Sequence, residues 1–297
     1  MPPIIIDRLV KSYDGKLALR NLSFTVEPGR VTGFLGPNGA GKTTTLRILV
    51  GLVAPTTGSA TFGDVAYADL PRPQRTVGCV LDATGHPGRT GRNHLRILAP
   101  TAGVRDRRVD EVIEMVGLTE VARDAIGSYS QGMQQRLALA GAILGDPSYL
   151  ILDEPAVGLD PEGIRWLRTF LRDFAAQGRT VLMSSHVLNE VEATVDDIVV
   201  INRGQLIAHT KMSELGIGAG STKVRVQNPD LALRALAHLA AQVEIDRDGH
   251  GAYLRVHTAD VGAVGAALFS AGIVVSELVG ERRDLEREFF SMLESSW

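Results

Sequence analysis

The sequence predicts an α/β core followed by a smaller α+β unit, and three observations carry that reading. Two short apolar runs, "YLILD" at residues 149–153 and "TVLMSS" at 180–185, lack polar alternation, which is how strands covered on both faces of a parallel sheet read. A glycine-rich stretch beginning at residue 36, "GPNGAGKTTT", lies between a strand-like run and a helix-like one. Past a second Gly-rich stretch, "SELGIGAGST", which has the character of a linker, strand and helix patterns follow in a new order.

Along the chain, "IIIDRLVKSY" and "LALRNLSFTVEPG" read as strands flanking Asp14 and Gly15, a dipeptide suited to the positive φ angles of a tight hairpin. A small antiparallel layer is therefore expected first. "RVTGFLG" is a short buried strand, and "KTTTLRILVGLV" places Leu46, Leu49, Val50 and Val53 at helical spacing, ending by Pro55. Residues 84–145 hold mostly helical patterns and read as a helical lobe inserted into the parallel-sheet core. "PEGIRWLRTFLRDFAAQG" is a helix between the two apolar strands. Residues 1–215 thus make one domain and residues 216–297 a second. The second orders its elements strand, helix, strand, strand, helix, strand at 222–227, 229–242, 243–246, 252–257, 261–272 and 273–278. That order matches a ferredoxin-like unit, with "DRDGHG" as its hairpin turn and a last helix after it.

Composition narrows the classes. With 31 basic and 34 acidic side chains among 297 residues, the net charge of −3 recruits neither nucleic acid nor an anionic membrane surface. The single cysteine, Cys79, excludes an internal disulfide and a cysteine-based zinc site, and it reads as a small core residue in a strand. No run reaches the roughly 18 apolar residues of a membrane-spanning helix. The chain is expected to be soluble in a reducing cytoplasm. His86 and His94, which have no third ligand nearby, read as solvated loop residues.

Gly36, Pro37, Asn38, Gly39, Ala40, Gly41, Lys42 and Thr43 satisfy G-x-x-x-x-G-K-[ST] between a strand and a helix, the context in which that pattern forms a phosphate-binding P-loop. Side-chain-free positions let successive N–H groups point at phosphate oxygens, and the helix N-terminus adds partial positive charge. Lys42 would reach the β- and γ-phosphates, the Thr43 hydroxyl would ligate Mg²⁺, and Thr44 could bond the α-phosphate. The plain alternative is a strand-to-helix turn with an exposed lysine. A second anion belongs near the metal, and the apolar strand ending in Asp153 and Glu154 offers one: Asp153 for the metal, Glu154 to activate the attacking water.

Together these motifs resemble the ATP-binding cassette ATPases, over roughly residues 4–211 and in the family's order. "GPNGAGKTT" resembles the Walker A loop, "YLILDEP" the Walker B strand, "AVGLD" the D-loop, "YSQGMQQR" the signature usually written LSGGQ, and "SSH" the switch histidine. The resemblance implies a P-loop cassette that binds and hydrolyses ATP with Mg²⁺, and a head-to-tail pair of cassettes, as a homodimer, with each ATP between one Walker A loop and the other signature. Ser130, Gln131, Gly132, Met133 and Gln134 would then meet the partner's γ-phosphate. By the same resemblance His186 would hold Glu154 and the water in line, Asp160 would couple the two sites, and Tyr13 would stack on adenine.

Two positions depart from the family. Asp82 stands where a glutamine touches Mg²⁺ and the water, which puts its reach to the site in question. Gln131 replaces a glycine of the signature, so its side chain is expected to face away from the nucleotide. One cassette with a short C-terminal domain resembles the ATPase subunits of ABC-2-type exporters, including those that confer drug or antibiotic resistance. That resemblance implies an unidentified substrate, a permease on a separate chain, and a place on the cytoplasmic face of the membrane. The competing reading is a soluble cassette ATPase acting on ribosomes or nucleic acid, and against it stand the single cassette and the lack of sustained heptads or a basic stripe.

Overall fold

Alternation and turn chemistry decide the first elements. The computed structural model describes residues 1–82, 85–215, 220–237, 239, 243–258, 260–282 and 285–294. Strands β1 (Ile4–Tyr13) and β2 (Lys16–Val26) pair antiparallel across Asp14 and Gly15, whose φ angles of 47° and 81° close the expected two-residue hairpin. The buried β3 (Val31–Leu35) leads through the glycine-rich loop into α1 (Lys42–Leu49). β4 (Thr57–Phe62) and β5 (Val65–Ala66) complete the first sheet in the order β2-β1-β4-β5.

The second sheet begins after α2 (Pro73–Thr76) with β6 (Val77–Val80). Then come α3 (Gly91–Ala102), α4 (Asp106–Met115) and α5 (Gln131–Ile143), the helices of the expected lobe. β7 (Tyr149–Leu152), α6 (Pro161–Ala176), β8 (Thr180–Ser185), α7 (Leu188–Glu192), β9 (Asp197–Asn202) and β10 (Gln205–Lys211) follow. The sheet order is β10-β9-β3-β8-β7-β6, parallel except for β10. Its central strands are buried along their whole length, as runs without alternation require. Between the sheets Phe24 meets Phe34 at 5.2 Å between ring centroids and Phe62 meets Tyr149 at 4.8 Å, with Leu46 and Leu49 of α1 in the same core.

Two compact units result, one of Met1–Met212 together with Met292–Trp297 and one of Ser213–Ser291. The expected boundary at residue 216 and the expected lobe start at Thr84 fall outside the described residues. In the second unit β11 (Gly220–Val226), α8 (Pro229–Leu236), β12 (Val243–Asp248), β13 (Gly251–Val256), α9 (Val261–Ser270) and β14 (Val275–Arg282) precede α10 (Leu285–Glu294). All neighbours in the order β12-β13-β11-β14 are antiparallel. Val224, Leu254 and Val256 bury against Ala232, Leu236, Val264 and Leu268 of α8 and α9. β14 runs past the expected end at Leu278, because its pairing with β11 continues to Gly220 opposite Arg282.

Two readings need correction. His94 is not a loop residue: Thr90 caps α3 by accepting from the Asn93 N–H, and the helix carries His94 half-buried with Nδ1 buried and unpartnered among the described residues. α8 ends at Leu236, whereas the periodicity predicts helix to Gln242, and residues 238 and 240–242 lie outside the described set.

Candidate active site

The site lies beyond the carboxyl ends of three neighbouring parallel strands, the position where open α/β sheets hold ligands. β3 delivers the glycine-rich loop, β7 delivers Asp153 and Glu154, and β8, between them, delivers His186. Glycine is required at two places in the loop. A Cβ on Gly36 would come within 2.4 Å of the Ile201 carbonyl oxygen, and Gly41 holds φ at 108° at the head of α1. The next turn opens α1 with free N–H groups, an anion site by geometry alone.

Lys42 is nearly sealed from solvent. Its ammonium donates to the carbonyl oxygens of Gly36 (2.6 Å) and Pro37 (3.4 Å) and stands 3.8 Å from Glu154 Oε1. Burial pushes this ammonium below the ordinary lysine value, while the Glu154 and Asp153 carboxylates oppose that shift. A buried cation with incomplete compensation attracts a further anion.

Thr43 Oγ1 donates to Asp153 Oδ2 at 2.6 Å, which joins the head of α1 to the end of β7 across 110 residues of sequence. The other oxygen, Oδ1, accepts from the Ser184 hydroxyl, and Ser184 Oγ in turn accepts the Glu154 N–H at 3.0 Å. A hydroxyl beside a carboxylate is the hard-oxygen donor set that suits Mg²⁺. Glu154 has φ of 49°, a left-handed backbone, and its Oε2 lies 2.8 Å from His186 Nδ1 and accepts the His186 N–H at 3.3 Å. A carboxylate held from one side by an imidazole and facing a phosphate loop can accept a proton from water.

The remaining expected residues sit elsewhere. Tyr13 is exposed at the hairpin tip, with Lys11 Nζ 4.8 Å from its ring centroid. Asp82 is exposed and faces Arg47 of α1 at 3.7 Å, while Asp153 accepts from both Thr43 and Ser184. Ser130 caps α5, accepting the Met133 N–H at 3.2 Å, and Gln134 donates back to the Tyr129 carbonyl. Asp160 caps α6, accepting the Gly163 N–H at 2.7 Å. Ser184 was missed by sequence reasoning. Its one signal was a hydroxyl two residues before His186 at the end of an apolar strand.

A phosphate-cradling loop, a buried lysine and a paired carboxylate and imidazole on adjacent parallel strands define a P-loop nucleoside triphosphatase. Comparison with known proteins sharpens that class. The ABC transporter family model matches residues 19–157. An uncharacterised ABC transporter ATP-binding protein of Bacillus subtilis (strain 168) is 34% identical over 292 residues, 97% of this chain and 94% of the relative. A Nod factor export ATP-binding protein of Burkholderia pseudomallei (strain 1710b) is 35% identical over 82% of this chain and 83% of its own. A solved ATP binding subunit of an ABC transporter superposes with a TM-score of 0.65 at 27% identity, covering 71% of this chain and 91% of that one. The chain belongs to the ABC transporter ATP-binding proteins, the cassettes that hydrolyse ATP.

Proposed function

We propose that this chain is the ATP-hydrolysing subunit of an exporter, working as a head-to-tail pair of cassettes on the cytoplasmic face of a membrane beneath a separate permease. The observation that carries the chemistry is Glu154, held by His186 and Ser184 at the strand end facing Lys42. ATP lays its phosphates over residues 36–44, and the γ-phosphate becomes a further anionic partner for buried Lys42, beside Glu154. Mg²⁺ fits beside Thr43 Oγ1 and Asp153, where it would neutralise charge on the β- and γ-phosphate oxygens. Glu154 takes a proton from the water whose oxygen attacks the γ-phosphorus, and ADP leaves with the cleaved bridging oxygen. With His186 Nδ1 on Glu154, Nε2 is the ring atom left to face the γ-phosphate. Asp82, which faces Arg47 of α1, would serve this site through water when the cassettes close.

Two further observations support the coupling. Ser130 already presents the α5 N-terminus as a capped helix, the form in which Gln131 and Gly132 N–H groups meet the partner's ATP. A groove of about 320 Å³ between β6 and helices α3 and α5, with Cys79, His94, Leu98 and Ala138 among its lining, offers the permease a seat on the helical lobe. Among the described residues no helix is long and apolar enough to cross a membrane, so the substrate path is assigned to that permease. The export direction draws on the Nod factor relative. The deciding measurement is affinity purification from detergent-solubilised native membranes, read by mass spectrometry. A stoichiometric multi-span protein is the expected companion. Ribosomal proteins or DNA in its place would make the ribosome or nucleic-acid reading the better one.

A further inference from the structure

Gln131 stands at the first turn of α5, on the signature segment, where the family pattern has glycine. A Cβ built on Gly158 would lie 2.4 Å from Gln131 Cδ, 2.5 Å from its Cγ and 2.8 Å from its Oε1, so the glutamine side chain lies in the space over Gly158. Gly158 holds φ at 83° in the loop that leads to Asp160. No other residue type fits both that backbone and that contact. Gly132 continues the seam, since a Cβ there would meet the Gly158 carbonyl oxygen at 3.1 Å and Leu159 Cδ2 at 3.5 Å. One turn further on, the Arg136 guanidinium lies 5.0 Å over the Trp166 ring of α6.

We propose that Gln131 is a positioning residue that latches the Ser130 segment to the Asp160 loop of the same cassette. The inference rests on the head-to-tail reading for its purpose, though not for its geometry. Both segments of one cassette would face the partner's nucleotide, and a cassette that presents them already joined loses less conformational freedom on closing. The contact is one of shape: the side chain's carbons and amide plane cover the glycine. An unbranched side chain of similar length, such as methionine, therefore keeps the latch, and glycine removes it.

The test uses the full chain in three forms: Gln131→Gly, Gln131→Met and the parent, each on a Glu154→Gln background that binds ATP without turning it over. The Val157 N–H bonds the Glu154 carbonyl at 3.2 Å and the Leu159 N–H bonds the Ala156 carbonyl at 3.1 Å, so the Asp160 loop has two amides whose exchange reports its order. In nucleotide-free protein, Gln131→Gly is expected to speed their hydrogen exchange by about three-fold or more, with Gln131→Met at the parent rate. The ATP concentration for half-maximal dimerisation, measured by analytical ultracentrifugation, is expected to rise about three- to ten-fold in Gln131→Gly alone, while ATP affinity of the monomer stays level. Parent-like exchange in Gln131→Gly, or equally fast exchange in Gln131→Met, overturns the latch. A parent chain that stays monomeric in ATP sinks the head-to-tail reading instead, and the exchange rates then judge the latch by themselves.

Discussion

Glu154 holds a left-handed backbone at a position where a β-strand ends and where a non-glycine residue costs about 1–3 kcal/mol. The Ser184 hydroxyl on its N–H and the His186 imidazole on its carboxylate hold it there, so the strain aims one carboxylate oxygen at His186 while the other stands 3.8 Å from Lys42. Glu154→Gln keeps this shape and loses the base. ATP turnover is expected to fall by at least about 100-fold, with affinity for a fluorescent ATP analogue changed less than about three-fold. Loss of nucleotide affinity on the same scale as turnover would assign Glu154 to binding. Most of these residues were legible because the P-loop and the strand ends are contiguous in sequence. Ser184 was not, because its role depends on β8 lying between β3 and β7, and pairing order is not written in any local pattern.

At the scale of elements, capping side chains set the helix starts: Thr90 for α3, Ser130 for α5, Asp160 for α6, Asn228 for α8 and Asp260 for α9. Two of these caps belong to the segments expected to meet a partner cassette. An oxygen that already accepts a hydrogen bond from its own helix is fixed in direction, which is how a cap also serves as a contact. The stability value of a cap is best measured away from the site. Asp260 accepts the Ala263 N–H at 2.8 Å, so Asp260→Ala is expected to cost about 1 kcal/mol in urea unfolding of the second unit, and Asp260→Ser to recover most of it. Equal loss in both variants would assign the effect to charge at the helix end. Short strands were harder to read than helices. "VGCV" of β6 is four residues long, and its place at the sheet edge comes from pairing with β7.

Across the whole molecule both units have apolar cores, and the second adds a cluster of ion pairs. The first core lies between two sheets, whereas the second unit packs its apolar residues against α8 and α9 and carries the ion pairs on its sheet. Lys223 lies 2.8 Å from both Asp248 and Glu277, and Arg225 meets the same two carboxylates at 2.7 and 3.0 Å. Hydrogen bonds from Lys223 first, joined by Arg225, hold both carboxyls below their ordinary values. A carboxyl with a lowered folded value stabilises the fold above its unfolded value of about 4, and that contribution is lost as the pH falls through the folded value. Amide protection in β11 and β13 is therefore expected to weaken as the pH drops below about 4. Lys223→Met with Arg225→Met should flatten that pH dependence, and an unchanged profile would place the acid sensitivity elsewhere.

The sequence by itself determined what lies along a few adjacent residues: the phosphate loop and its lysine, the carboxylates at an apolar strand end, and the order of elements in both units. Each of these depends on φ, on side-chain periodicity or on hydrogen bonds spanning three or four residues, which local chemistry dictates. Only the tertiary structure decided that Thr43 bonds Asp153, that Ser184 serves Asp153 and Glu154 together, that Asp82 faces Arg47, and that Gln131 covers Gly158. Those contacts join residues 27 to 110 positions apart or depend on which strands lie side by side. Non-local pairing is chosen by burial of the whole sheet, a sum that no single stretch of the chain contains.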